Sequence, residues 1–234
     1  FSLTGVRMNY VFPPAPQVVL PILGSDSLIP VRRVYCVGQN YSAHAAEMGG
    51  DTREPPFFFS KPVDALVPGG GDTRYPLRTE NYQHEVELVV VLSKGGSNID
   101  KEQALSCVLG YAVGFDLTRR DLQTLSKEKR QPWEMGKGAD QGAPVSAVRK
   151  VGGGAHPVQG AIWLKVNGEF RQRSDLSQMT WTVAEIIANL STYVRLAPGD
   201  LIFTGTPAGV STIERGDVLE GGIAGVGALR NRLV

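Results

Sequence analysis

The stretch HEVELVVVL, residues 84 to 92, constrains this chain more than any other. In a strand alternate side chains share a face, so Glu85 and Glu87 point with Val89 and Val91, and Val86, Leu88, Val90 and Leu92 point the other way. A strand apolar on both faces after its first turn runs into a core, with other elements covering each side. Unpaired carboxylates are costly at such a place. Either the two glutamates lie on a solvated edge, or something positive meets them.

The rest of the chain sets the frame for that choice. Its 234 residues suffice for a full hydrophobic core, and 42% hydrophobic with 20% charged residues is ordinary globular composition. No apolar run approaches a membrane span, so a soluble protein is expected, and its two cysteines in apolar surroundings suit a cytoplasmic one. A net charge of +1 gives no reason to expect nucleic acid or an anionic membrane surface as partner. Cys36 and Cys107 both sit in apolar surroundings and read as buried, reduced thiols. FSLTGVR precedes Met8 without the features of a signal peptide, so residues 1–7 are read as a remnant and Met8 as the native start.

Along the chain, residues 8–32 are short apolar runs broken by PPAP and GSDS, which suggests a small N-terminal appendage ahead of one larger domain, 33–234. VRRVYCVG, FFFSKPVDALV, GYAVGFDLT and GDLIFTGTPAGV read as strands, and PGGGDTRYP as a turn. AIWLKVNGEFRQR reads as a hairpin turning at Asn167-Gly168. NYSAHAAEMGG, DKEQALSCVL with Asp100 as its cap, RRDLQTLSKEKR and TVAEIIANLSTYV read as helices, the last opened by a Thr182–Glu185 capping box. Strands dominate, so the expected class is α+β, mainly β. GGIAGVG at residues 221 to 227 has the wrong spacing and too little chain after it for a dinucleotide loop, and reads as a turn between strands. There is no G-x-S-x-G nucleophile elbow, and His156, before a proline, reads as a surface residue.

A metal would resolve the problem of Glu85 and Glu87. Oxygen-only ligands suit hard divalent ions such as Mg²⁺, Mn²⁺ or Ca²⁺, and Asp116, at the end of GYAVGFD, is a third candidate ligand. The same residues fit an edge strand with solvated glutamates and an aspartate in a loop. Lys61, Arg119, Arg120 and Lys137 are candidate cations for an anionic substrate, Lys137 standing in the glycine-flanked EMGKGAD. His44 and Glu47, three apart, would share a helix face, either as a carboxylate-oriented general base or as a surface ion pair. The glycines and proline that follow suggest a lid.

Taken in order, VGQNYSAHAAE, FFFSKP, HEVELVVVL, GFDLTRRDLQ, PWEMGKGAD, WLKVNGEFRQ and GDLIFTGTPAGV resemble the fumarylacetoacetate hydrolase family over about residues 33 to 234. Within it they look most like the acylpyruvate hydrolase branch. The resemblance implies a mixed β-sheet roll, a homodimer, and Mg²⁺ or Mn²⁺ held by Glu85, Glu87 and Asp116. It places the lid dyad on His44 and Glu47, the active-site lysine on Lys137, and substrate-orienting positions on Arg120, Gln123 and Thr206. The implied reaction is hydrolysis of a carbon–carbon bond in a 1,3-diketo acid, with fumarylpyruvate giving fumarate and pyruvate as the expected case. Oxaloacetate decarboxylation, or isomerisation and decarboxylation of related 2-keto acids, is the alternative on the same scaffold. Four positions depart from the family pattern: Gly138-Ala139 replaces a pair that often includes an aromatic residue, Gln39 stands where arginine is common, and Arg119 where a small residue is common. The first departure is expected to loosen one wall of the pocket.

Overall fold

The computed structural model describes residues 9–41, 53–153 and 155–234. Strands far outnumber helices and fall mainly into two sheets. The larger is mixed and eight-stranded, running Phe57–Lys61, Arg33–Gly38, Asp200–Phe203, Val86–Leu92, Val108–Phe115, Ala143–Val145, Leu66–Pro68, with Arg149–Lys150 pairing off this path onto Val108–Phe115. The second has five strands in the order Glu169–Asp175, Ala161–Val166, Val218–Ile223, Gly227–Leu233, Gly71–Thr73. The result is a curled, mainly β architecture of the expected class.

Val86–Leu92 is central to the larger sheet and buried along its whole length. Its two faces enter different cores. Val86, Leu88, Val90 and Leu92 pack with Ile162, Leu164, Leu219 and Leu229 of the second sheet and with Ile186 and Leu190 of the helix Val183–Tyr193. Val89 and Val91 pack with Val34, Cys36, Ala143, Leu201 and Phe203. This is why the strand carries no polar alternation, and each buried Val or Leu contributes on the order of 1.5–3 kcal/mol relative to exposure.

The expected N-terminal appendage is a hairpin, Val19–Ile22 against Ser25–Pro30. It is not free-standing, because Leu20, Ile22 and Ile29 are buried in the core that also covers Val89 and Val91. The hairpin Ala161–Val166 to Glu169–Asp175 turns at Asn167 and Gly168, both at positive φ, as the Asn-Gly pair predicts. The helix Val183–Tyr193 opens on the Thr182–Glu185 capping box. The glycine-rich residues 221 to 227 hold a turn, 224–226, between two antiparallel strands, with Gly221, Gly222 and Ile223 ending the first strand and Gly227 opening the second. Cys36 and Cys107 are buried and unpaired.

Some expectations are corrected. The helix expected from Asp100 is one short turn, Lys101–Ala104, followed by a 3-10 turn, and the Asp100 side chain makes no capping bond. From Val108 the chain joins the sheet instead, because VLGYAVGF is apolar on both faces and suits a central strand, buried except at Leu109. FFFSKPVDALV is two strands separated by a 3-10 turn after Pro62. His156 is half-buried rather than a free surface residue, with its Nδ1 2.6 Å from the Tyr111 hydroxyl. The helix expected around His44 and Glu47, and the start assigned to Met8, lie outside the described residues. No described helix is long and apolar enough to cross a membrane.

Candidate metal centre

Strand register builds the centre. Val86–Leu92 and Val108–Phe115 pair antiparallel with Glu87 opposite Gly114, and the Asp116 N–H donates to the Glu85 carbonyl at 2.8 Å. Glu85 therefore sits just before one strand and Asp116 just after its neighbour. Oxygen atoms of Glu85, Glu87 and Asp116 all lie within 4.8 Å of one another, and the three side chains are buried. At Gly114 an added Cβ would meet Val89 and Phe203 side-chain atoms at 2.5 and 2.6 Å, so only glycine lets the sheet close opposite Glu87.

Three cations surround this acidic cluster. Lys137 donates to Glu85 Oε2 and Asp116 Oδ2, both at 2.7 Å, and to Thr118 Oγ1 at 2.8 Å. Lys61 Nζ is 2.8 Å from Asp116 Oδ1 and also donates to the carbonyls of Leu117, Lys137 and Gly142. Arg120 donates to Glu85 Oε1, to Gln123 Oε1 and, at 2.7 Å, to Gln83 Oε1. Burial alone would raise the Asp116 carboxyl, but the ammonium groups of Lys137 and Lys61 hold it below its ordinary value. Burial would likewise lower the Lys137 ammonium, and Asp116 and Glu85 outweigh this and raise it. Lys137 is thus held as a positive charge against the two carboxylates.

Glu87 differs from its two neighbours. Among the described residues no cation pairs with it, and its Oε2 accepts only the Gly205 N–H, at 2.7 Å. Burial, then Asp116 and Glu85, push its carboxyl well above the ordinary value. An uncompensated buried carboxylate beside two others is the environment a divalent cation relieves, and the all-oxygen donor set suits Mg²⁺ or Mn²⁺. The residues present therefore fit the metal that the sequence reading placed here.

The cluster lines a cavity of about 520 Å³ together with Lys137, Arg120 and Gln123. Arg120 occupies the oxygen of the Gln123 amide, which leaves its nitrogen without a protein acceptor among the described residues. Thr206 also lines the cavity, but its hydroxyl donates to the Val86 carbonyl at 2.8 Å and accepts from Gln172 at 2.8 Å. In this arrangement it offers a substrate no hydroxyl proton.

The structure sorts the other expectations. Lys137 does not stand in an exposed loop: it ends the helical turn Glu134–Lys137 and is buried. Gly136 is needed for packing, because a Cβ there would lie 2.8 Å from Gln123 Cβ and 2.9 Å from its backbone nitrogen. Arg119 turns away from the acidic cluster and donates to the Leu77 carbonyl. Ala139 is buried in the main core, and neither it nor Gly138 lines the cavity, so the loosened wall expected there is not found. The aromatic wall comes from Tyr41, Phe59 and Trp133.

His44 and Glu47 lie outside the described residues. The chain on either side of them is anchored at one place. Asn40 donates to the Trp181 and Thr204 carbonyls at 3.0 and 2.8 Å and accepts the Trp181 N–H at 2.7 Å. Arg53 donates to the Thr180 carbonyl at 2.8 Å with its guanidinium 4.0 Å over the Trp181 ring.

Sequence reasoning missed His84. It is buried, with Nδ1 3.0 Å from Gln172 Oε1 and Nε2 2.9 Å from Ser211 Oγ. The same Gln172 oxygen accepts the Val86 N–H at 3.1 Å, so His84 Nδ1 is assigned the proton. Burial first, with the charges of Arg171 and Arg120, lowers its pKa to about 4, against the hydrogen bond that His84 donates to Gln172, which raises it. Its place immediately before the E-x-E pair was the available signal.

The fumarylacetoacetate (FAA) hydrolase C-terminal family matches residues 33–234. The chain is 44% identical over 173 residues to a fumarylpyruvate hydrolase of Ralstonia sp, covering 74% of this chain and 90% of that protein. It is 40% identical over 199 residues to the mitochondrial oxaloacetate tautomerase FAHD1 of Mus musculus, covering 85% and 90%. A crystal structure of fumarylpyruvate hydrolase from Pseudomonas aeruginosa, in complex with Mn²⁺ and pyruvate, superposes with a TM-score of 0.90 at 52% identity, covering 97% of this chain and 99% of that one.

Proposed function

The chain belongs to the fumarylacetoacetate hydrolase family, and from that premise we propose that it is a metal-dependent hydrolase cleaving a carbon–carbon bond in an acylpyruvate, with fumarylpyruvate giving fumarate and pyruvate. The observation that carries this reading is the buried cluster of Glu85, Glu87 and Asp116 facing the fixed ammonium of Lys137. The identity to two fumarylpyruvate hydrolases supports the choice of substrate.

Glu85, Glu87 and Asp116 would hold Mg²⁺ or Mn²⁺, which when bound supplies positive charge for the oxygens of a 2-keto acid. Lys137 adds a second positive charge at the same place, where negative charge grows as pyruvate leaves as its enolate. Arg120 and Gln123 orient the keto-acid end, the Gln123 amide nitrogen facing the cavity as donor. Thr206, by its bonds to Val86 and Gln172, fixes the turn that forms the opposite wall. His44, with Glu47 three residues on, takes a proton from the water that attacks the distal carbonyl. The tetrahedral species then collapses, the bond to the pyruvate methylene breaks, and the enolate takes up a proton. His44→Ala should therefore abolish hydrolysis and leave Mn²⁺ affinity unchanged; retained hydrolysis would assign the base elsewhere.

A second reading, action on oxaloacetate, is favoured by the free Gln123 amide nitrogen and by the similarity to the mouse tautomerase and to an oxaloacetate decarboxylase of Dictyostelium discoideum, 37% identical over 196 residues. Pyruvate release from fumarylpyruvate and from oxaloacetate, each with Mg²⁺ and with EDTA, separates the two. Metal-dependent turnover of fumarylpyruvate well above oxaloacetate is expected, and the reverse preference would replace the hydrolase reading by a decarboxylase.

We also propose a cytoplasmic homodimer, with residues 33–234 as the catalytic domain and 8–32 as its appendage. The reduced cysteines support the compartment, and Phe57 and Tyr193, exposed beside the edge strand Phe57–Lys61, support an interface. Light scattering that gives a monomer mass would reject the dimer.

A further inference from the structure

The helix Arg120–Glu128 presents Arg120, Gln123 and Lys127 to the cavity, at positions i, i+3 and i+7 of one face. Seven residues carry the chain about 10 Å along the helix axis. Arg120 marks the inner end of this row, bonded to Glu85. Lys127 marks the outer end, two turns away.

The cations that line the cavity or lie behind its wall are not equivalent. Lys61, Lys137 and Arg120 are each bound to Glu85 or Asp116. Lys127 has no carboxylate within ion-pair distance among the described residues. Its ammonium lies instead over the Trp133 ring, 4.8 Å from the centroid. Trp133 packs against Phe59 at 5.8 Å between centroids, and the Phe59 ring lies 5.0 Å from Lys137 Nζ. An aromatic wall thus joins the inner ammonium to the outer one. Lys127 is exposed at this outer end and lines the cavity, so an anion at its mouth can reach the ammonium.

We propose that Lys127 is the receptor for the terminal carboxylate of a dicarboxylic acylpyruvate, making this site selective for diacids over neutral acylpyruvates. The inference rests on the hydrolase reading above. With the keto-acid end at the acidic cluster, the acyl chain runs outward along Phe59 and Trp133, a wall suited to a flat conjugated chain, and its terminal carboxylate ends at Lys127. Oxaloacetate carries its second carboxylate one carbon from the keto group, so it stays at the inner end and makes no use of Lys127.

The test is kcat/KM for fumarylpyruvate and for acetylpyruvate, which lacks the terminal carboxylate, measured with Mn²⁺ on the wild type, Lys127→Gln and Lys127→Arg. Removing a charge-assisted hydrogen bond should lower the ratio of diacid to neutral activity by about 10- to 100-fold in Lys127→Gln. Lys127→Arg should restore most of it. A ratio in Lys127→Gln within about twofold of the wild type overturns the inference, whether both activities fall together or neither changes. A wild type that releases pyruvate from neither compound overturns the hydrolase reading itself, and the role of Lys127 with it.

Discussion

The Lys61 ammonium lies 2.8 Å from Asp116 Oδ1, and neither side chain is accessible to solvent. Breaking a buried pair by removing one partner strands the other charge, at a typical cost of about 3–5 kcal/mol. Lys61→Met should lower unfolding stability in urea by that order. A loss below about 1 kcal/mol would mean that Lys137 alone compensates Asp116.

Among the described residues Glu87 carries a buried carboxyl without a cation, so its neutral isostere suits the metal-free fold. Glu87→Gln should leave metal-free thermal stability unchanged or raised while weakening Mn²⁺ binding, read by calorimetry. The loss should be at least the roughly 10–100-fold typical of outer-shell partners. Unchanged affinity would remove Glu87 from the ligand set.

His84 is held neutral in the fold, with its pKa lowered from 6.5 to about 4. Between those values the unfolded chain binds the extra proton, so stability from this group is complete above the unfolded pKa and is lost as pH falls through the window. His84→Gln should show a shallower loss of stability than the wild type on going from neutral pH to about pH 5. Parallel pH profiles would show that His84 does not carry the dependence.

Glu185 has a pKa lowered to about 2: burial raises it, and the Thr182 backbone, Lys101 and Arg53 outweigh that effect. A depressed carboxyl contributes stability above its ordinary value of 4.5 that is lost as pH falls toward 2. Glu185→Gln should melt below the wild type at neutral pH and converge with it in acid. A constant difference in melting temperature at every pH would assign the effect to packing.

Gly136 faces the backbone of Gln123, and a Cβ there has no room. Gly136→Ala should cost about 1–3 kcal/mol, as overpacking does, and raise KM through displacement of Gln123. Wild-type stability and KM together would show that the turn Glu134–Lys137 shifts freely.

Much of this was legible in the chain. HEVELVVVL announced a buried strand because both of its faces are apolar, whereas the two glutamates at its mouth posed a choice between a metal site and a solvated edge that spacing did not decide. Asn167-Gly168 and the Thr182–Glu185 box gave their turn and cap because those conformations depend on adjacent residues. The row Arg120, Gln123, Lys127 was readable in principle from helical spacing, yet its cavity-facing orientation was not. Arg119, beside Arg120, looked equally available and points elsewhere.

The order of the amino acids carries the local part: strand periodicity, turn and cap chemistry, and two glutamates at the mouth of an apolar strand. Which charges meet is settled by packing. Asp116 reaches Glu85 through the pairing of two antiparallel strands, and Lys61 and Lys137 arrive from an edge strand and a helical turn far along the chain. Packing also buried Ala139 away from the cavity, drew His84 into a network with Gln172, and left Lys127 without a carboxylate among the described residues. The reason is physical: side-chain periodicity is set by neighbours in sequence, whereas the compensation of a buried charge depends on distances of a few ångströms that strand register and packing alone establish.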